Sequence, residues 1–226
     1  MGGAVGEAKP FEPEKLVLAV LVSRETLAIP GFRGRFQVRL EDAFGDFDYE
    51  GPELPFGFTH YYDDELGTPL VRQLLAFRRL VDPQELAGIK ITTNRIEDEL
   101  RSTGESRTGS RERAESDRPS AEARGPRRVN LDPGLLSLSR LVLASTKDGS
   151  HRVPLASGIF AEVTLQYRRS AFRPLPWTYP DYRSEEVLRC LLDIRALLKR
   201  QKRGADPTET GSLTEADPPA IGRPRG

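Results

Sequence analysis

Cysteine is nearly absent from this chain: Cys190 is alone, so no disulfide can close within it. Histidine is scarce too, with only His60 and His151. One cysteine and two histidines leave too few soft ligands for a structural zinc site, whose usual donors are cysteine and histidine. Phosphate-cradling loops are missing as well: neither Gly-x-x-x-x-Gly-Lys-Ser/Thr nor Gly-x-Gly-x-x-Gly occurs. The stretch Gly104 to Ser110 holds glycines and hydroxyls but no lysine. The residues therefore do not point to a standard P-loop NTPase or dinucleotide-binding enzyme. There is no apolar run of membrane-spanning length and no charged n-region followed by an apolar core at the start, so the expectation is a cytoplasmic protein with no membrane partner.

Large apolar side chains are also nearly absent from three stretches, 1–13, 102–126 and 203–226. The middle one balances five acids with five arginines among Ser, Thr, Gly, Pro and Ala. Such a polyampholyte cannot bury enough surface to offset the entropy of ordering. The expected organisation is a single α+β domain over 14–202, with a disordered insertion at 102–126 and disordered termini at 1–13 and 203–226. No repeat of fixed period runs through it.

Charge is zero overall but divided. Residues 14–101 hold 11 basic and 16 acidic side chains, net −5; residues 127–202 hold 14 and 7, net +7. The excess is mostly arginine, which suits planar anions. Either the halves complement one another or the second presents a surface for an anion or nucleic acid.

What is present reads as alternating strands and helices. Lys15 to Ser23 is a short, continuous apolar run, the pattern of a strand buried on both faces. Phe32, Phe36, Leu40 and Phe44 mark one helix face ending at Gly45. Phe47 to Phe58, broken by prolines, suggests an irregular edge strand, and Leu74 to Val81 a strand. Asp82-Pro83-Gln84-Glu85 is a helix start, with an acid at the cap, proline at the first helical position and glutamate at the third. That helix runs to about Arg101, weakened by Gly88 and Thr92-Thr93. Arg128 to Asp132 is strand-like, and Pro133-Gly134 reads as a turn. Leu135 to Thr146 fits a helix or a strand, with the helix favoured. The fold class is therefore α+β: a ferredoxin-like mixed or antiparallel sheet with helices on one face, extended by a C-terminal hairpin and helix.

In that hairpin His151–Leu155 and Ile159–Tyr167 flank Ala156-Ser157-Gly158. A three-residue loop with Gly158 in the left-handed region pairs Val153 with Ala161 and sets Arg152 opposite Glu162. Ile159, Ala161, Val163, Leu165 and Tyr167 then share one face. The last helix opens at Ser184-Glu185-Glu186, with Asp181 or Ser184 as its cap, and closes on basic residues and Gly204.

The densest polar set is Asn130, Asp132, Lys147, Arg152, Glu162 and Thr164 with His151. An extended Asn130-Leu131-Asp132 aims both polar side chains to one face. His151 and Glu162 are the candidate acid–base pair; Lys147 and Arg152 are the candidate anion ligands. Trp177, Tyr179, Asp181 and Arg183 form a proline-held aromatic segment that either packs or contacts ligand. Tyr61, Tyr62 and Glu65 make an acidic, aromatic patch, read as a helix start in preference to a metal site built on His60. No metal is expected and no cofactor is named by any motif. The expected function is binding of an anionic small ligand, a nucleotide or phosphorylated metabolite, in a polar cleft, whether or not catalysis follows. The alternative is an RNA- or protein-interaction module using the arginine-rich half. Composition does not set the oligomeric state.

These same residues carry a family resemblance. Phe58-Thr59-His60-Tyr61-Tyr62 with Glu65 and Gly67, Asn130-Leu131-Asp132-Pro133-Gly134, Lys147 with His151-Arg152, Ala161 to Leu165, and Pro176-Trp177-Thr178-Tyr179-Pro180-Asp181-Tyr182-Arg183 resemble a bacterial family of unknown function. Members are sometimes labelled GTP-binding proteins; here neither a P-loop nor an Asn-Lys-x-Asp base-reading motif accompanies the resemblance. Two departures stand out: the Pro30-Gly31 interruption of a helix and the 102–126 insertion. The resemblance implies a fold and a site location but no reaction.

Overall fold

In the computed structural model, residues 7–101 and 125–204 are described. The first terminal segment up to residue 6, most of the expected insertion (102–124) and the tail from 205 lie outside the described residues.

β1 (Glu14–Ser23) is buried at every position, as its unbroken apolar run predicts. After a short capped turn of helix, α1 (Arg24–Ala28), comes α2 (Phe32–Phe44), which buries Phe32, Phe36, Leu40 and Phe44. Gly45 ends α2 with φ 87°, and its N–H returns to the Glu41 carbonyl. β2 (Phe47–Glu50) and β3 (Leu54–Pro55) are the two pieces of the proline-broken edge strand. α3 (Asp63–Leu66) is a single acidic turn. β4 (Leu70–Val81) starts four residues earlier than the apolar run suggests, because Arg72 and Gln73 lie within the strand. Asp82 and Glu85 form the reciprocal capping box read from sequence, and α4 (Leu86–Glu99) follows one 3₁₀ turn.

The four strands β2, β4, β1 and β5 (Val129–Leu136) stand in that order, every neighbour antiparallel. With α2 and α4 as the two crossovers, this is the ferredoxin-like arrangement. β6 (Arg140–Ser145), β7 (Val153–Pro154), β8 (Phe160–Arg168) and β9 (Ala171–Pro174) extend the same sheet beyond β5. Two expectations are corrected. Leu135 to Thr146 is not a helix; its two halves finish β5 and form β6, where Leu141 and Leu143 face the α5 side and Val142 and Ala144 the other. Pro133-Gly134 is not a turn; both residues lie inside β5, opposite Leu18 and Val17. Gly134 is needed there for proximity: a Cβ would fall 2.6 Å from Leu143 Cδ2 and 2.8 Å from the Val142 carbonyl oxygen.

Helices cover both faces of the sheet. One core gathers Leu16, Leu18, Val20 and Val22 of β1 with the apolar faces of α2 and α4. The alternate residues Val17 and Ala19 meet Leu191, Ile194 and Val187 of α5 (Glu185–Gly204) on the other side. Ser184 Oγ accepts from the Val187 N–H at 3.3 Å, so Ser184 caps α5. The far end of α5 is pinned where fully buried Lys15 donates to Gln201 (2.7 Å) and pairs with Asp48.

Val153 pairs with Ala161, Gly158 has φ 72°, and Arg152 reaches Glu162, all as the register argument predicts. The strict alternation along β8 does not hold. Leu141 pairs with Leu165 but Val142 with Val163, so Thr164 is the extra residue of a bulge. The bulge flips the pattern: Ile159 and Ala161 join the α4-side core, whereas Leu165 and Tyr167 join the α5 side.

Candidate functional site

β5 and β6 pair at only three positions, Gly134–Leu143, Leu135–Val142 and Leu136–Leu141. Beyond Gly134 they diverge, β5 staying with β1 and β6 with β8. The backbone of β5 thereby loses a neighbour, and its polar groups need other partners. Two side chains of α4 supply them. Lys90 Nζ donates to the Leu131 carbonyl at 2.8 Å, and Glu97 accepts from the Leu131 N–H at 2.6 Å. Pro133, two residues on, has no N–H to satisfy.

The opening is a cleft of about 470 Å³. One wall is α4 with the start of β5 and α3: Lys90, Asn94, Glu97, Asp98, Arg101, Arg127, Asn130, Asp132, Tyr61, Tyr62 and Glu65. The other is β6, the loop after it, β8 and the 3₁₀ turn at Pro180–Arg183: Leu143 to Lys147, Arg152, Glu162, Tyr179 and Tyr182. Nine of the sequence-selected residues thus line one cleft: Tyr61, Tyr62, Glu65, Asn130, Asp132, Lys147, Arg152, Glu162 and Tyr179.

Ion pairs join the wall residues. Arg127 meets Glu65 at 2.7 Å, Glu97 at 2.9 Å and Asn130 Oδ1 at 3.0 Å. Asn130 Nδ2 donates to Asp132 at 2.7 Å, and Asp132 lies 3.4 Å from Arg72 Nη1 and 3.9 Å from Lys90. Across the cleft, buried Glu162 accepts from Arg152 Nε (2.9 Å), His151 Nε2 (3.1 Å) and Thr164 Oγ1 (3.2 Å). Because a carboxylate only accepts, Nε2 carries the hydrogen of that bond. Arg152 also holds the Lys147 carbonyl at 2.8 Å and the Tyr179 hydroxyl at 3.5 Å.

The remaining selected residues lie outside the lining. His151 stacks on Trp177, ring centroids 5.3 Å apart, and touches the cleft wall only through Glu162. Trp177 Nε1 donates to the Val163 carbonyl at 2.9 Å, and Thr178 Oγ1 to the Thr164 carbonyl, so this segment clasps the β8 bulge. Asp181 is buried in an ion pair with Arg72 at 2.8 Å. Arg183 donates to the carbonyls of Leu175, Pro176 and Thr178, stapling its own loop. His60 is exposed and bonded to Asp63 at 2.7 Å; among the described residues no group of three or more His, Cys, Asp and Glu is placed to hold a metal ion.

Sequence reasoning missed Lys90, Glu97, Arg127, Arg72 and Tyr182. Glu97 and Lys90 looked like ordinary helix charges. Their spacing of seven residues puts them on one helix face, two turns apart, which was the available signal. Burial pushes the Glu97 carboxyl above its ordinary 4.5 despite the opposing pull of Lys90, the Leu131 N–H and Arg127. A carboxyl raised in the folded state adds stability below its unfolded pKa and loses that contribution as pH rises through the folded one. The stability of the wild type relative to Glu97→Gln should therefore decline from pH 4 towards neutrality in urea titrations. A difference that is flat or grows with pH would contradict this. Burial, with Asp132 nearby, likewise pushes the Tyr62 phenol up to about 12.

The chain matches the family described as Domain of unknown function (DUF4416) over residues 12–109 and 111–197, and it belongs to that family. No curated protein and no solved structure gives a match. No helix among the described residues is long and apolar enough to cross a membrane.

Proposed function

We propose that the protein binds a small polar metabolite bearing one anionic group in the cleft between β5 and β6. The observation that supports this reading is the parting of the two strands around a space lined largely by charged and polar side chains. The lining carboxylates, Glu65, Glu97, Asp98, Asp132 and Glu162, are matched in number by Lys90, Arg101, Arg127, Lys147 and Arg152. The cleft as a whole is therefore not strongly positive. Among the described residues, Lys147 alone of these cations has no carboxylate partner; it lies over the Tyr61 ring at 5.1 Å. It is exposed at the mouth and is the natural ligand for the anion.

The test is a thermal-shift screen of the full chain against nucleotides (GTP included), sugar phosphates and divalent metals. A binding compound at a hundred times its Kd stabilises by about 2.7 kcal/mol. Lys147→Ala should weaken that compound about tenfold, the scale of one charge-assisted hydrogen bond. Trp177, the only tryptophan, supplies an emission signal beside the Glu162 wall. If no compound shifts the melting temperature, the reading fails.

A second reading, an RNA-binding role, draws on Arg168, Arg169 and Arg173, exposed together at the β8–β9 hairpin. Much of the remaining arginine excess is committed internally: Arg127 to Glu65 and Glu97, Arg140 to Glu14, Arg152 to Glu162. Affinity for single-stranded RNA that falls steeply with added salt supports this role, and none at low salt removes it.

A further inference from the structure

We infer that the ligand's anion is joined to a planar aromatic ring, which the cleft holds against Tyr61 and Tyr179 beside Lys147. This rests on the binding reading above and narrows it to ring-bearing anions, such as a nucleoside monophosphate or an aryl phosphate.

Among the lining side chains, Leu143, Ala144 and Tyr182 are buried. Tyr61 and Tyr179 are open, at 69% and 48% exposed. The aromatic surface that the cleft offers to a visitor is therefore theirs, with part of half-buried Tyr62. A tyrosine ring presents a large flat contact area and has few torsions to freeze when something packs on it.

Principles of placement bring these rings to the same spot as the cations. Lys147 Nζ lies 5.1 Å from the centre of the Tyr61 ring. The Lys147 carbonyl accepts from Arg152 Nη1 at 2.8 Å, and Arg152 Nη2 reaches the Tyr179 hydroxyl at 3.5 Å. Tyr62 completes the cluster: its ring meets Tyr61 edge to face at 4.9 Å, and Tyr179 lies within its electrostatic reach. Each ring is tethered. Tyr62 packs on Leu21, Leu66 and Leu70, the Tyr61 N–H donates to Thr59 Oγ1 at 3.1 Å, and the Tyr179 carbonyl accepts from the Tyr182 N–H at 3.1 Å. Partly ordered rings lose less entropy when a ligand arrives.

Magnitudes favour the ring as the discriminating part. Lys147 is exposed, and an exposed ammonium alone holds an anion weakly, because water competes for both partners. Stacking on one aromatic side chain adds about tenfold in affinity. A phosphate without a ring leaves both tyrosines unused. The cleft of about 470 Å³ lies within the roughly 300–1,000 Å³ usual for small-molecule sites, enough for a ring with its anion.

The experiment is calorimetric titration of the full chain and its Tyr61→Leu, Tyr61→Phe and Tyr179→Leu variants. The compounds are uridine 5′-monophosphate, phenyl phosphate, ribose 5-phosphate and inorganic phosphate. At least one ring-bearing compound should bind the wild type about tenfold more tightly than the two without a ring. Tyr61→Leu and Tyr179→Leu should each weaken that compound about tenfold and leave the ring-free ones nearly unchanged, whereas Tyr61→Phe should bind as the wild type does. Both side chains are open, so all three variants should melt close to the wild type. Tighter binding of the uridine compound identifies a nucleotide and tighter binding of phenyl phosphate a simple aryl anion; either supports the inference. Ring-free compounds that bind as tightly as ring-bearing ones, or leucine variants that weaken all compounds alike or none, overturn it and leave the binding reading intact. Failure of all four compounds to bind the wild type overturns both.

Discussion

Arg72→Ala should unfold in urea with about 3–5 kcal/mol less stability than the wild type, the usual loss when one member of a buried ion pair is removed. Arg72 is 6% exposed and lies in β4, where its guanidinium reaches Asp181 at 2.8 Å and Asp132 at 3.4 Å. It also lies 5.3 Å from the centre of Phe56 and 5.8 Å from that of Tyr182. Truncation leaves Asp181, 5% exposed, as a buried carboxylate with no counter-charge. It also removes the guanidinium that lies over the Phe56 and Tyr182 rings. Adding Asp181→Asn to Arg72→Ala should return part of the loss, because the stranded charge is neutralised. A loss below about 1 kcal/mol would place the pair among exposed salt bridges and contradict its burial.

Gly134→Val is expected to lose about 3 kcal/mol, the upper end for overpacking a filled site. The added carbons cannot be accommodated by a rotamer change alone, since the Cβ itself would stand 2.8 Å from a backbone oxygen of β6. Relief requires β6 to move away from β5, which attacks the three residue pairs that join them. Chemical denaturation measures the loss. A near-neutral Gly134→Val would mean that β5 and β6 do not approach as closely as their register requires.

Legibility followed the range of the interactions. β1, α2, the Asp82 capping box, the hairpin register and α5 were readable because each is set by neighbours in sequence: an apolar run, a four-residue period, a cap, a turn. The ferredoxin-like order was readable from the alternation of such elements. Leu135 to Thr146 was misread because its leucines suit either period, and only pairing with β1 and with Phe160 to Gln166 makes its two halves strands. Pro133-Gly134 was misread because local turn chemistry competes with a close approach visible only once Leu143 is placed. At the site, Asn130, Asp132, Arg152 and Glu162 stood out as polar residues within strand patterns. Arg72 hid beside an apolar run, and Glu97 on a charged helix. His151 and Glu162 do touch, but the histidine leans on Trp177 outside the lining.

The three pairs between β5 and β6 divide the sheet mechanically as well as chemically. On one side stand β2, β3, β4, β1 and β5; on the other stand β6, β7, β8 and β9. Each group is a laced plate, and the short seam at Gly134–Leu136 is the line about which they can flex. α5 lies across both, its leucines packed on Val17 and Leu74 of one plate and on Leu141 and Leu165 of the other. It acts as a strut that sets the angle between the plates, and Lys15 and Asp48 anchor its far end through Gln201. The width of the cleft is therefore fixed by a helix on the α5 face of the sheet. Shaving a side chain such as Leu191, which is not itself a lining residue, would loosen the aperture from behind.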